Sequence, residues 1–406
     1  MMDKKSLNQG IRQYGTPMYV FDLDIMKKTV EGFRDALEGK AGLCFAMKAN
    51  PFLTGPMSRA ADRIEVCSMG EYRICRALGV EPENILISGV MKREADLLEI
   101  LSQWGGRCRY TVESPAQLRL FAGWSAKHRR ILTVYPRLTG GDQFGMDEGT
   151  IGAMVTERGK YPFLDIRGIH YFSGTRKKSV AKIQEELGYL DHFCLRLEQR
   201  TGYKIKELEY GPGLSVPCFE GQEDTLSRDQ KAIALALSSM EWKGKVVLEM
   251  GRALAAPCGS YLTRVMDLKA SNHVNYCIVD GGMHQLHYDG QIRGMYRPRF
   301  QMHPQRMEGE QKEWTVCGAL CTGNDVLMSR VPISGIREGD VFVFAYAGAY
   351  SMTEGMALFL SHSLPKVAFY DRKSGWRLVR GGKPTYLWNM AKEEDNGDFD
   401  EDFEGY

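Results

Sequence analysis

Lys48 lies in Cys44-Phe45-Ala46-Met47-Lys48-Ala49-Asn50, at the end of a short apolar run. A lysine there projects from the end of a buried strand with its amine at the mouth of a core. Partial desolvation can lower the pKa of such an amine and let it condense with a carbonyl. Alone, the position is weak, because most strand-end lysines are solvated surface residues. Other chemistry-bearing residues fall at the ends of comparable apolar runs: Ser68, Ser88-Gly89, Glu113, Pro136, His170 with Phe172, Gly211-Pro212-Gly213, and Glu249 with Gly251-Arg252. Glycines let a backbone approach phosphate, Arg252 can pair with an anion, Glu249 can keep a ring nitrogen protonated, and Phe172 can lie against a ring face. Each has an ordinary alternative as a turn, a surface pair or a core aromatic. Their joint position describes a site for a phosphate-bearing ring.

The elements that must position them follow from periodicity. Eight apolar runs read as strands: Leu43–Met47, Ile64–Cys67, Ile85–Ser88, Arg109–Val112, Ile131–Val134, Ile166–His170, Glu207–Tyr210 and Val246–Glu249. Stretches with apolar residues three and four apart separate them, such as Glu94–Leu101 and 181–199, and read as helices. Eight βα repeats predict a closed (β/α)8 TIM-like barrel over 26–255, whose chemistry gathers at the C-terminal strand ends. After Arg252 the alternation stops. Tyr261–Leu268, Tyr276–Val279, Trp314–Val316 and Val341–Ala345 are β-branched and aromatic, which predicts an antiparallel β domain over 256–385. Gln305–Lys312 is polar and reads as a loop.

Seven motifs in order give the chain a resemblance to the fold-type III pyridoxal-phosphate decarboxylases, the diaminopimelate and ornithine decarboxylase family. They are Thr16–Asp22, Lys48-Ala49-Asn50, Glu65–Glu71, Gln143–Met146, Glu249–Arg252, Val279–Met283, and Cys321 with Asp325 and Ala347–Tyr350. The resemblance implies an alanine racemase-like barrel inserted between two pieces of the β domain, with residues 1–25 supplying its N-terminal strand. It also implies that Lys48 holds the cofactor as a Schiff base and that Glu249 contacts its pyridine nitrogen, making the ring an electron sink for decarboxylation. Phe172, Thr175, Gly213, Gly251, Arg252 and Tyr350 fall in the cofactor set. Arg252, Arg293, Thr322, Asp325 and Tyr350 fall in the substrate set. Cys321 matches the family's proton donor, lent by the second subunit of a homodimer. A free cysteine is otherwise an ordinary small hydrophobe.

The departures bear on the substrate. Where diaminopimelate decarboxylases have a glutamate after the cysteine, to read the distal amino group, this chain has Thr322. Their Arg-Pro-x-x-Tyr stretch, which grips the distal carboxylate, is replaced by His284–Tyr288 and by Arg293–Pro298, so that Arg293 or Arg297 stands as a substitute. Phe172 replaces a ring-stacking histidine, and Gly211-Pro212-Gly213 replaces three glycines. The pattern resembles a secondary-metabolite branch, such as the butirosin-pathway enzyme that acts on glutamate held by an acyl carrier protein. It implies a carrier-tethered or siderophore-type substrate, with diaminopimelate decarboxylation of lysine synthesis as the alternative. A racemase on the same plan would instead need a tyrosine base opposite Lys48. The small pyridoxal-phosphate carrier proteins lack a second domain.

Composition sets the remaining expectations. With 406 residues at 43% hydrophobic content and a formal charge of +2, the chain suits a two-domain enzyme and gives no case for nucleic acid. It has no membrane-length apolar run or signal-peptide pattern, and its ten cysteines have no regular spacing. These features predict a reducing cytoplasm and no metal. Glu393–Tyr406 carries eight acids and no base, so the remainder is net basic, and 386–406 reads as a disordered acidic tail.

Overall fold

The structure is a computed structural model that describes residues 2–391 apart from 178 and 307, so Glu393–Tyr406 lies outside the described residues. The chain divides into two units, one of 1–26, 217–223 and 256–406 and the other of 27–216 and 224–255. Residues 217–223, expected in the barrel, belong instead with the β unit.

In chain order the strands are β1 (Met18–Asp22), β2 (Ala41–Ala46), β3 (Arg63–Val66), β4 (Ile85–Ile87), β5 (Arg109–Val112), β6 (Leu132–Leu138), β7 (Leu164–Ile166), β8 (Gly168–Phe172), β9 (Glu207–Gly211) and β10 (Lys245–Met250). Strands β2 to β10 form the barrel: the order β5-β4-β3-β2-β10-β9-β8-β6 closes because β5 also pairs with β6, every pairing being parallel. The single strand expected over Ile166–His170 is two pieces. Gly168 approaches its neighbours so closely that a Cβ would lie 2.5 Å from both the Glu207 carbonyl and the Tyr135 ring. The chain kinks before it, and the Arg167 N–H donates to Val134 across the break. Helices return the chain between strands. Ser68 caps Met69–Ala77 by accepting from the Glu71 N–H, and Ser114 does the same for Pro115–His128 from Gln117. The two helices read from spacing are Glu94–Gln103 and Val180–Thr201.

The β unit adds β11 (Gly259–Ser271), β12 (Val274–Val279), β13 (Phe300–His303), β14 (Gln311–Cys317), β15 (Val326–Ser334), β16 (Val341–Phe344), β17 (Lys366–Asp371) and β18 (Gly375–Arg380). Its sheet runs β15-β14-β12-β11-β1-β17-β18, with β16 on β11 and β13 on β16. The sheet is mixed, not antiparallel as expected, since β1 runs parallel to β17 and β12 to β14. The second pairing arises because the intervening β13 leaves the hairpin order to pair with β16. A helix that sequence reading missed, Lys4–Tyr14, precedes β1 and lays Leu7, Ile11 and Tyr14 on a cluster of Met18, Val20, Leu262, Val341 and Tyr370. Burying one such side chain fully is worth about 1.5–3 kcal/mol. Tyr386–Asn389, expected to begin the disordered tail, is a helical turn whose Asn389 amide donates to Leu358 O and Ser361 Oγ.

Candidate active site

At the mouth of the barrel, β2 lies between β3 and β10, which places Glu65 and Glu249 on the strands either side of the one that leads into Lys48. Lys48 is the second residue after β2, in the middle of the single turn Met47–Ala49. Its two neighbours are buried, while its side chain remains 42% exposed. Lys48 Nζ is 2.5 Å from Glu65 Oε2, 3.7 Å from Cys67 Sγ and 3.9 Å from Glu249 Oε1. The Cys67 thiol in turn donates to Glu65 Oε1 at 3.1 Å. These neighbours reverse the expected direction of the amine's pKa. Burial pulls it down, but the carboxylates of Glu65 and Glu249 outweigh burial and hold the amine well above the ordinary lysine value.

Glu249 is braced from two strands away by His170, whose Nε2 lies 3.0 Å from Oε2. Burial raises the Glu249 carboxyl, but the charge and hydrogen bond of His170, with Lys48 beyond, hold it at about 2. His170 is 1% exposed, and its Nδ1 has no hydrogen-bond partner among the described residues.

The adjoining loops are shaped by two glycines. A Cβ on Gly211 would come within 2.5 Å of the Phe172 ring, so this glycine makes room for the aromatic face at the end of β8. Gly213 has φ +62°, and a Cβ there would meet the Gly174 carbonyl at 2.1 Å and Thr175 Cα at 3.4 Å. Its carbonyl accepts from the Lys177 N–H at 2.9 Å. Thr175 and Gly213 are therefore brought together. Gly251 and Arg252 follow β10 directly, and Gly251 O accepts from Ala255 N in the turn that Arg252 opens.

Sequence reading missed several buried polar groups here. Ser173, Lys177 and Tyr210 all donate to the Glu186 carboxylate, at 2.5, 2.6 and 2.7 Å. Glu186 is the seventh residue of a 22-residue helix segment that begins at 180 and reads simply as amphipathic, so nothing local marked it. Arg137 pairs with Glu113 at 3.1 Å and lies 4.6 Å from the Phe144 ring centroid. The Gln143–Met146 motif carried that signal, since Gly145 donates to the other Glu113 oxygen. Inside the barrel, Arg63 bridges Glu207 and Glu209, each at 2.6 Å.

The remaining expected site residues lie in the β unit. Cys321 is exposed in the loop after β14. Thr322 Oγ1 accepts from Asn324 N, and Tyr350, at φ +66°, accepts from Thr353 and Glu354 through its carbonyl. Arg293 is exposed at φ +48°. Asp325 departs from its expected substrate contact. It is 2% exposed, and its two oxygens accept from Met283 N at 2.7 Å and Leu320 N at 2.9 Å. Asp325 thus ties the Cys321 loop to Gly281-Gly282-Met283. Asp280 of the same motif is likewise an anchor, accepting from Thr16, Thr263 and Arg264. Among the described residues there is no cluster of metal-binding side chains, and no helix is long and apolar enough to cross a membrane.

Residues 18–348 match the family model described as pyridoxal-dependent decarboxylase, C-terminal sheet domain. The chain is 27% identical to L-glutamyl-[BtrI acyl-carrier protein] decarboxylase of Niallia circulans, covering 93% of this chain and 94% of that one. It is also 27% identical to diaminopimelate decarboxylase of Aquifex aeolicus, covering 85% and 84%. The fold is similar to diaminopimelate decarboxylase from M. jannaschii in complex with L-lysine, with TM-score 0.82 at 20% identity over 95% and 94% of the chains. Lysine/ornithine decarboxylase from Vibrio vulnificus has TM-score 0.77 at 19% identity over 90% and 95%. The chain belongs to the fold-type III pyridoxal-dependent decarboxylases, enzymes built from a (β/α)8 barrel and a β domain.

Proposed function

We infer that this decarboxylase binds pyridoxal phosphate at the barrel mouth and acts on an amino acid whose distal end is masked, foremost a glutamyl group held as a thioester on a carrier protein. One observation carries the substrate class. In the loop Gly318–Asp325 the only carboxylate is Asp325, and both of its oxygens are engaged by backbone N–H groups, while Thr322 follows the cysteine. The loop offers no negative charge to a distal ammonium, which diaminopimelate, lysine and ornithine all carry. The relative that acts on a carrier-bound glutamyl group aligns over nearly the full chain, which supports the same reading.

The residues fit the cofactor. An amine and a buried carboxylate lie 3.9 Å apart, His170 presents a buried nitrogen without a partner among the described residues, and the Gly213 loop admits no side chain. Bound pyridoxal phosphate supplies an electron sink for the pair left when carbon dioxide departs. Lys48 would tether it through Nζ, and Glu65, 2.5 Å away, is placed to take up a proton from that amine. Glu249, fixed by His170, would keep negative charge toward the ring nitrogen of the bound cofactor, and Phe172 would offer the ring an aromatic face. Gly213, Thr175, Gly251, Arg252 and Tyr350 hold the anionic groups of cofactor and substrate, with Arg293 toward the distal end. Cys321 delivers a proton to the α-carbon and acts from the second copy of a homodimer.

The test offers purified protein meso-diaminopimelate, ornithine, lysine, arginine, free glutamate and a glutamyl thioester side by side, with carbon dioxide release followed by mass spectrometry. Turnover confined to the thioester is expected. Turnover of diaminopimelate at a comparable rate refutes the masked-end reading.

A further inference from the structure

A concave surface is formed wholly by residues of the β unit. It is a groove of about 440 Å³ whose rim carries Lys4, Arg12, Arg264 and His303, with Ile11 and Val341 among its apolar lining. Its shape is set by the fold. The register puts Arg264 and His303 both opposite Val341, on the strands either side of it, and His303 holds the Lys4–Tyr14 helix through a 2.7 Å contact with Asn8. Arg264 is fixed by donating to Gly339 O. No carboxylate lines the groove among the described residues. Nearby Asp340 is buried and taken by Arg306, and Asp3 is taken by Ser6 as the helix cap. Burial, and then the charge of Lys4, lower the His303 pKa against the opposing carboxylate of Asp340.

The same chain contains a segment of opposite character. Residues 393–406 hold eight acids, no base, and the aromatics Phe399, Phe403 and Tyr406. The described chain ends at Ala391, shortly after β18, and β18 lies three strand positions from β11, which carries Arg264. Three spacings are about 15 Å, whereas the 15 residues that follow Ala391 reach about 50 Å when extended. We propose that the acidic C-terminal segment Glu393–Tyr406 docks in the basic groove of Lys4, Arg12, Arg264 and His303 on its own β unit. Its carboxylates meet the rim cations, and its aromatic side chains meet the apolar lining of Ile11 and Val341. The occupied face is thereby closed to other acidic proteins.

Full-length protein treated with a zero-length carbodiimide reagent, then digested and mapped by mass spectrometry, reads this directly. Lys4 is the one amine on the rim, so links from Glu393–Tyr406 are expected to concentrate on it, above the exposed controls Lys127 and Lys373. Arg12→Glu should lower the Lys4 link about fivefold. So should 0.5 M salt on the unaltered protein, where the screening length falls to about 4 Å and no question of misfolding arises. Links to Lys4 no more frequent than to Lys127, or insensitive to both Arg12→Glu and salt, overturn the proposal. In an equal mixture of isotopically light and heavy protein allowed to exchange subunits, mixed light–heavy links making up half of the total, the share for linking between chains, overturn its assignment to the same chain.

Discussion

Replacing Asp325 by alanine separates a brace from a substrate contact. The carboxylate accepts Met283 N at 2.7 Å and Leu320 N at 2.9 Å, and Gly282 and Gly318 crowd it so closely that a Cβ on either would lie 2.5 or 2.3 Å from Oδ2. Each buried N–H stripped of its acceptor costs about 1–3 kcal/mol, and water entering the space left by the side chain returns part of that. The expected loss is roughly 2–4 kcal/mol, read as a lower urea midpoint at unchanged slope. Asp325→Asn keeps the volume and one acceptor but turns an amide N–H toward the other donor, so it should lose about half as much. Because Leu320 directly precedes Cys321, alkylation of Cys321 by iodoacetamide should speed up in step with the stability loss. Reasoning from the brace is refuted if Asp325→Ala changes stability by less than about 1 kcal/mol with Cys321 reactivity unaltered, and a raised KM on its own would restore the substrate contact.

Three further expectations follow from the barrel mouth. Lys48→Ala should abolish the visible absorbance of bound cofactor; mixed with Cys321→Ala, it should regain roughly a quarter of native activity through hybrid dimers, and no recovery removes Cys321 from a shared site. Gly211→Ala drives a methyl into the Phe172 ring, so cofactor retention on dilution should weaken by up to about tenfold, while unchanged retention detaches Phe172 from the ring face. Glu249 is held at about 2 against an ordinary 4.5. Its stabilisation as a carboxylate is therefore complete above 4.5 and lost as pH falls from 4.5 toward 2. The stability gap between native protein and Glu249→Gln, measured by urea unfolding across that range, should narrow on acidification, and a widening gap contradicts the assigned charge.

The parts legible in the sequence were those with a period or a fixed place along the chain. Strand ends placed Lys48, His170 and Glu249 at one barrel mouth, and the structure brings these three together, Glu249 lying 3.9 Å from the Lys48 amine and hydrogen-bonded to His170 at 3.0 Å. Charge partners were another matter. Lys48 alone suggested a lowered pKa, but Glu65, 17 residues on, reverses the sign, and only the register of β2 on β3 reveals that pairing. Asp325 sits within a motif yet works through backbone N–H groups that no side-chain pattern records. The second domain was read as antiparallel because β-branched runs state strand content without direction. Its parallel pairs depend on where β13 goes and on β1 arriving from the other end of the chain.

That last pairing orders events in time. β1 lies at the centre of its sheet, hydrogen-bonded to β11 on one side and to β17 on the other. It is made before the whole barrel, whereas Lys366–Asp371 is made after it. The barrel has all its strands once Met250 has been synthesised, but β1 must wait through more than a hundred further residues for its parallel neighbour. At ordinary translation rates that interval is on the order of ten seconds. During it the apolar Met18-Tyr19-Val20-Phe21 run, wholly buried in the finished protein, has at least one unsatisfied edge. Truncated chains ending before β17 should therefore be the species that chaperones capture.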